Sequence, residues 1–206
     1  MINIDDINKY FQKNGTLYLK QLIDKNLCVF LTHYLLRKSS NPDFVSSDGQ
    51  VVGTLSIADH DPVFETLLEK LWPEVELASG MNLIPTYAYA RLYKNGNILE
   101  KHSDRPECEI SLTLQLGRSH HYSWPIWMEG YRYDLSEGDG ILYKGCELEH
   151  WRDECDGPQD YYSGQVFLHY VNADGPYADR AYDIKTRKTY ENMFMKYRDY
   201  SMEKMK

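Results

Sequence analysis

A chain of 206 residues suits one domain and is long enough to bury a sizeable core. Charged residues at 26 % and hydrophobic residues at 42 % match an ordinary globular protein and exclude disordered and fibrous classes. Acids outnumber bases, 31 to 23, which argues against a nucleic-acid backbone as the main partner.

No apolar run reaches the roughly 18 to 20 residues of a membrane span, and the first residues, Met1-Ile2-Asn3-Ile4-Asp5-Asp6, lack the basic start and apolar stretch of a signal peptide. The expectation is a cytoplasmic protein without a membrane partner. Cys28, Cys108, Cys146 and Cys155 are too sparse and irregular for a disulfide framework and read as free thiols. Cys146 and Cys155 flank His150, but no second cysteine pair completes a zinc site.

The predicted order is helices, then many short strands. Asp24 caps a helix running to about Arg37, with Leu27, Phe30, Leu31, Tyr34 and Leu35 on one face. A second helix starts at His60-Asp61-Pro62, carries Phe64, Leu67, Leu68 and Leu71, and is expected to stop at Pro73. From residue 84 short alternating runs separated by Gly, Asn, Asp and Pro predict antiparallel strands near 86–94, 109–116, 122–128, 140–144 and 164–171. The reading is a single α+β domain: a helical buttress over 1–83, a β-sandwich or barrel over 84–172, and a C-terminal extension over 173–206. Residues 184–206 carry seven bases, three acids and four of the seven methionines. The spacing of Tyr190, Phe194 and Tyr197 in that tail is compatible with one face of a docking helix.

Chemistry concentrates in His102-Ser103-Asp104. In an extended segment residues two apart point the same way, so imidazole and carboxylate converge. His150 stands 48 residues on, after the Gly138-Asp139-Gly140 turn and a short strand. Two histidines and one carboxylate leave open positions on an octahedral ion, the arrangement used by non-haem Fe(II) oxygenases. The remaining histidines read as less informative. His120 and His121 are adjacent and point to opposite faces, His33 and His60 belong to the helical region, and the placement of His169 stays open. The run Trp124-Pro125-Ile126-Trp127-Met128 reads mainly as core.

The segment Arg91-Leu92-Tyr93-Lys94-Asn95-Gly96-Asn97-Ile98-Leu99-Glu100-Lys101-His102-Ser103-Asp104 resembles the metal-binding strand of Fe(II)/2-oxoglutarate dioxygenases, with the prolyl 4-hydroxylase-like branch nearest. The resemblance continues through residues 110–117, Glu137-Gly138-Asp139-Gly140, His150 and Val166-Phe167-Leu168-His169-Tyr170, about 84 to 172. It implies a double-stranded β-helix, or jelly roll, buttressed by N-terminal helices. It implies Fe(II) held by His102, Asp104 and His150, with 2-oxoglutarate and O₂ as cosubstrates, and no catalytic residue beyond the metal ligands.

Tyr93, nine residues before the first ligand, stands where prolyl hydroxylases place a tyrosine that touches 2-oxoglutarate; Gln165 on the last strand is a further candidate contact. One departure concerns the far carboxylate of that cosubstrate. Relatives usually hold it with an Arg or Lys about ten residues after the distal histidine, where this chain has Asp160. Arg91 is the first substitute, because Tyr87, Tyr89, Arg91 and Tyr93 alternate onto one strand face; Arg118, Lys144 and Arg152 are weaker ones.

The implied reaction is hydroxylation of an unactivated C–H bond with release of succinate and CO₂. The branch suggests a prolyl side chain of a peptide or protein, but substrate choice resides in loops, such as residues 38–49 and the stretch from His150 to Gly164, and fold analogy does not transmit it. A peptide, a protein or a small molecule therefore stays open as substrate, as does the oligomeric state. The alternative readings are a jelly-roll metal-binding module without turnover and an interaction protein acting through the basic tail.

Overall fold

The computed structural model describes residues 3–42, 45–47, 49–51, 53–57 and 61–181. His60 and the tail at 184–206, with its expected docking helix, lie outside them.

Three helices form the first layer. Asn3 caps α1 (Ile4–Asn14) by accepting from the Asp5 N–H, and Gly15 ends it in the left-handed conformation at φ 71°. After the short strand β1 (Thr16–Leu19), Asp24 caps α2 (Lys25–Ser39), accepting from the N–H groups of Asn26 and Leu27. Strands β2 (Val45–Ser47) and β3 (Leu55–Ile57) follow. Asp61 then caps α3 (Pro62–Ser79), with proline in its first turn.

The expected stop at Pro73 is corrected: α3 continues through it to Ser79. Proline removes the N–H that would reach the Glu69 carbonyl. Burial of Leu71, Trp72, Val75 and Ala78 offsets that loss, and the Tyr170 hydroxyl donates to the neighbouring Leu68 carbonyl at 2.9 Å. The helical buttress also contains β1 to β3, which the hydropathy pattern does not register.

The β region comprises β4 (Leu83–Lys94), β5 (Leu99–His102), β6 (Ile110–Arg118), β7 (Ile126–Met128), β8 (Tyr131–Tyr133), β9 (Gly140–Lys144), β10 (His150–Arg152) and β11 (Tyr162–Asn172). They form a seven-stranded antiparallel sheet, ordered β1-β9-β6-β11-β4-β3-β2, and a four-stranded one, β5-β10-β7-β8. This is the expected α+β jelly roll. The predicted strand at 122–128 is confined to β7, which pairs with β8 as a hairpin.

The period of two divides the large sheet between two environments. Ala88, Ala90 and Leu92 of β4, Leu112, Leu114 and Leu116 of β6, and Val166, Leu168 and Tyr170 of β11 pack with Phe11, Leu31, Leu35, Phe64 and Leu68 of the helices. The intervening residues, among them Arg91, Tyr93, Ser111, Thr113, Gln115, Gln165, Phe167 and His169, are also buried. They face the interior between the sheets.

At the helix junction the buried Asp61 carboxylate accepts from the Tyr34 hydroxyl at 2.8 Å and the Val63 N–H at 3.0 Å, and pairs with Lys38. Asp61→Ala removes a cap and a buried ion-pair member together. It is expected to lower unfolding free energy by about 2–4 kcal/mol in urea denaturation.

Candidate metal centre

Strand pairing, more than sequence spacing, builds the centre. β10 lies between β5 and β7, and His150 is the direct cross-strand partner of His102. Their rings are 4.3 Å apart between centroids. β5 ends at His102, so Asp104 comes from the following turn and not from a continuing strand. Its N–H donates to the Gly145 carbonyl at 2.8 Å, which ties that turn to the end of β9.

The Asp104 Oδ1 lies 3.6 Å from His102 Nε2 and 3.5 Å from His150 Nε2. Such separations suit neighbouring ligands of one cation at bonds of roughly 2 Å. Each imidazole is oriented by its other nitrogen: His102 Nδ1 donates to the Glu100 carbonyl at 2.7 Å, and His150 Nδ1 to the Leu148 carbonyl at 3.1 Å. Both Nε2 lone pairs are thereby turned toward the carboxylate. Ser111 Oγ lies 3.2 Å from the other carboxylate oxygen. Two neutral imidazoles and one carboxylate on one side of a cavity fit a divalent transition metal with open positions.

Burial would raise the Asp104 pKa, but the facing His102 and His150 side chains outweigh it and hold the carboxyl well below the usual range. Burial also opposes protonation of His102, yet the bond to Asp104 raises its pKa above the ordinary value. Asp104 thus supplies a negative charge that faces both imidazoles.

A second trio, Asp104, Cys108 and His169, also lies close together. Its Cys108 Sγ lies 3.1 Å from the Tyr87 hydroxyl, and burial and the Asp104 charge push the thiol up to about 12. Burial lowers His169 to about 4. Its Nδ1 contacts Ser111 Oγ at 2.9 Å.

The strand face expected for Tyr87, Tyr89, Arg91 and Tyr93 is observed. Arg91 lines the cavity of the triad together with Tyr89, Phe167 and His169. Its Nη1 donates to the Tyr93 hydroxyl at 2.7 Å and its Nη2 to Gln50 Oε1 at 2.9 Å. Gln50 Nε2 in turn is 2.7 Å from His102 Nε2, so metal entry must turn this amide aside. Gln165 lies deeper on the same interior face, bonded to Gln115 and Thr113.

Of the other candidate cations, Arg118 donates to the Tyr122 and Leu135 carbonyls, Lys144 pairs with Glu147, and Arg152 is buried two residues beyond His150. His120 pairs with Asp160 at 2.9 Å, and His33 and His121 are exposed. Cys146 and Cys155 join no metal-ligating group among the described residues.

Gln50, Ser111 and Gly145 escaped sequence reasoning. Gly145 had a readable signal, a glycine just after β9, but its reason is spatial. A Cβ there would sit 2.2 Å from the Cys108 carbonyl and 2.5 Å from Asp104 Oδ2. On the outer side of the triad a cavity of about 250 Å³ is lined by Tyr87, Tyr89, Arg105, Cys108 and His169. A larger cavity, about 590 Å³ and lined by Lys25, Arg118, His120 and Glu137, contains none of the three ligands.

No protein-family model matches this chain, and no curated protein matches it by sequence. Solved structures do match in fold. A prolyl-4-hydroxylase from Pseudomonas putida superposes with a TM-score of 0.62 at 13 % identity, covering 81 % of this chain and 98 % of its own. EctD from S. alaskensis in its apoform gives 0.66 at 16 %, covering 84 % and 78 %. HygX from Streptomyces hygroscopicus, with nickel and 2-oxoglutarate bound, gives 0.65 at 12 %, covering 84 % and 89 %. The chain therefore has the fold of Fe(II)/2-oxoglutarate oxygenase structures.

Two outcomes follow for metal binding. Gly145→Ala, which displaces Asp104, is expected to weaken Mn(II) affinity by about 10- to 100-fold, measured by electron paramagnetic resonance titration. Protons compete with metal at His102 Nε2, and the raised His102 pKa means release begins above the ordinary ~6.5 as pH falls. Affinity measured from about pH 8 to about pH 5 is expected to be full at the alkaline end and lost toward the acidic end, with Asp104 ionised throughout.

Proposed function

We propose that this chain is a non-haem Fe(II)/2-oxoglutarate-dependent oxygenase that hydroxylates an unactivated C–H bond. The observation that carries the reading is the cross-strand His102–His150 pair with Asp104, placed between the outer cavity and a buried polar strip on the interior sheet face. When bound, iron with 2-oxoglutarate and O₂ supplies C–H hydroxylation coupled to release of succinate and CO₂.

The residues of this chain do the holding and orienting. His102 and His150 supply neutral nitrogen donors, and Asp104 supplies a charge. Arg91, Tyr93 and Gln165 supply the polar interior wall for the cosubstrate, on adjacent strands of one sheet face.

The outer cavity suits a substrate group about the size of one amino-acid side chain. Tyr87 stacks near His169 with ring centroids 4.6 Å apart, and the Arg105 guanidinium lies 4.7 Å from the Tyr87 ring. A prolyl residue of a peptide or protein fits that size, as does a compact small molecule. The stretch after His150 is pinned at the opposite end of the barrel, where Cys155 exchanges backbone hydrogen bonds with Gly96 and Asn97. Gln50, just beyond the 38–49 stretch, reaches the metal side. No helix among the described residues is long and apolar enough to cross a membrane; four free cysteines suit a reducing, cytoplasmic setting. The acidic balance favours a partner other than nucleic acid.

Aerobic incubation with Fe(II), ascorbate and 2-oxoglutarate tests the reading by succinate and CO₂ release, with and without proline-containing peptides. The wild type is expected to form both products in equal amounts, and His150→Ala and Asp104→Ala to form neither. Iron bound by the wild type with no succinate would favour the second reading, a jelly-roll metal-binding module without turnover.

A further inference from the structure

Among the described residues, Arg152 is the one charged side chain of the barrel interior whose hydrogen bonding is incomplete. It is 2 % exposed, and its Nη1 donates to the Trp124 carbonyl. Its Nε and Nη2, both fully enclosed, have no partner. These two N–H groups share one edge of the guanidinium, the edge that receives a carboxylate with two parallel hydrogen bonds. The groups acting on it most strongly are Tyr93, Tyr161, Arg91 and Arg118, with no carboxylate among them. A buried cation with an open fork and no counter-charge is costly in a purely structural role.

Its position relates it to the metal centre. His150 and Arg152 are two apart on β10 and both buried, and the register with β5 shifts between them, so that Arg152 pairs with Leu99. Leu99, its register partner, lines the triad cavity, as does Arg91. The guanidinium lies 5.0 Å from the Trp124 ring and 5.7 Å from the Tyr93 ring. Tyr93 already accepts from Arg91, so one tyrosine connects both arginines. Arg91 differs in having acceptors, the Tyr93 hydroxyl and Gln50, on both terminal nitrogens.

We propose that Arg152 receives the distal carboxylate of 2-oxoglutarate on its Nε and Nη2 edge, taking the place of the basic residue absent from the last strand, with Arg91 and Tyr93 beside it. The inference rests on the oxygenase reading and replaces Arg91 as the first choice for this contact.

The test is anaerobic titration of the Fe(II)-loaded protein, followed by its visible charge-transfer band, with 2-oxoglutarate and with 2-oxobutyrate, which lacks the distal carboxylate. Arg152→Met is expected to weaken 2-oxoglutarate by about 100-fold and to leave 2-oxobutyrate within about 3-fold of wild type. Arg152→Lys, which keeps the charge and loses the fork, is expected to weaken 2-oxoglutarate by about 10-fold, and carries the test if the Met variant does not fold. Ligand-free Arg152→Met is expected to melt no lower than wild type, since it removes unpaired buried donors. An Arg152 variant that keeps the wild-type preference for 2-oxoglutarate would overturn the proposal, and so would loss of that preference only in Arg91→Met. A wild type that binds iron but shows no band with either keto acid would overturn the oxygenase reading itself.

Discussion

Everything in this fold depends on which way alternate residues of β4, β6 and β11 face. One set, Ala88, Ala90, Leu92, Leu112, Leu114, Leu116, Val166 and Leu168, is aliphatic and seals against the helices. The other set holds tyrosines, hydroxyls, amides, Arg91 and His169, which line the interior. Because the side-chain period is two, a slip of one residue would bury the polar set against the helices and expose the aliphatic set to the cavity. Burial at about 25 cal/mol per Å² makes that slip prohibitive over three long strands. The helical layer therefore does more than cover the sheet: it fixes the register that points the polar set inward.

The second sheet inherits this precision. β5 and β10 are only four and three residues long, too short to specify pairing by hydrophobic pattern. Turn contacts hold them in place: Asp104 to Gly145 on the metal side, and Gly96 and Asn97 to Cys155 at the opposite end. His102 thus meets His150 directly. The carboxylate between them is half-buried and faces both imidazoles, so it stays ionised where a metal needs an anion. Placing strong polar groups in this buried interior carries a cost, seen in the unpaired nitrogens of Arg152 and His169. A binding site tolerates such a cost where a core would not.

Much of this was legible in the sequence. Asp24 and Asp61 announce α2 and α3 because capping acts through residues adjacent in the chain. The alternation of Tyr87, Tyr89, Arg91 and Tyr93 announces their shared face because strand geometry is local. The triad was readable from the order of turn, HxD, glycine turn and histidine. What escaped depends on contacts distant in sequence. β1, β2 and β3 are three or four residues long and exist by pairing with a sheet edge, so no period marks them. Pro73 reads as a stop until the buried second half of α3 is seen. Gly145 matters because Asp104 and the Cys108 carbonyl fill the space beside it, and Arg152 ranked low because its neighbours in sequence say nothing of an enclosed, half-satisfied guanidinium.

The central claim is that this register assembles one metal site from His102, Asp104 and His150. Anomalous diffraction from crystals grown anaerobically with Fe(II) and 2-oxoglutarate tests it most directly. The account predicts a single strong peak bonded to His102 Nε2, His150 Nε2 and an Asp104 oxygen, with two oxygens of the keto acid completing its contacts. A peak bonded to Cys108 and His169 instead, or a triad left without metal at saturating iron, would contradict it.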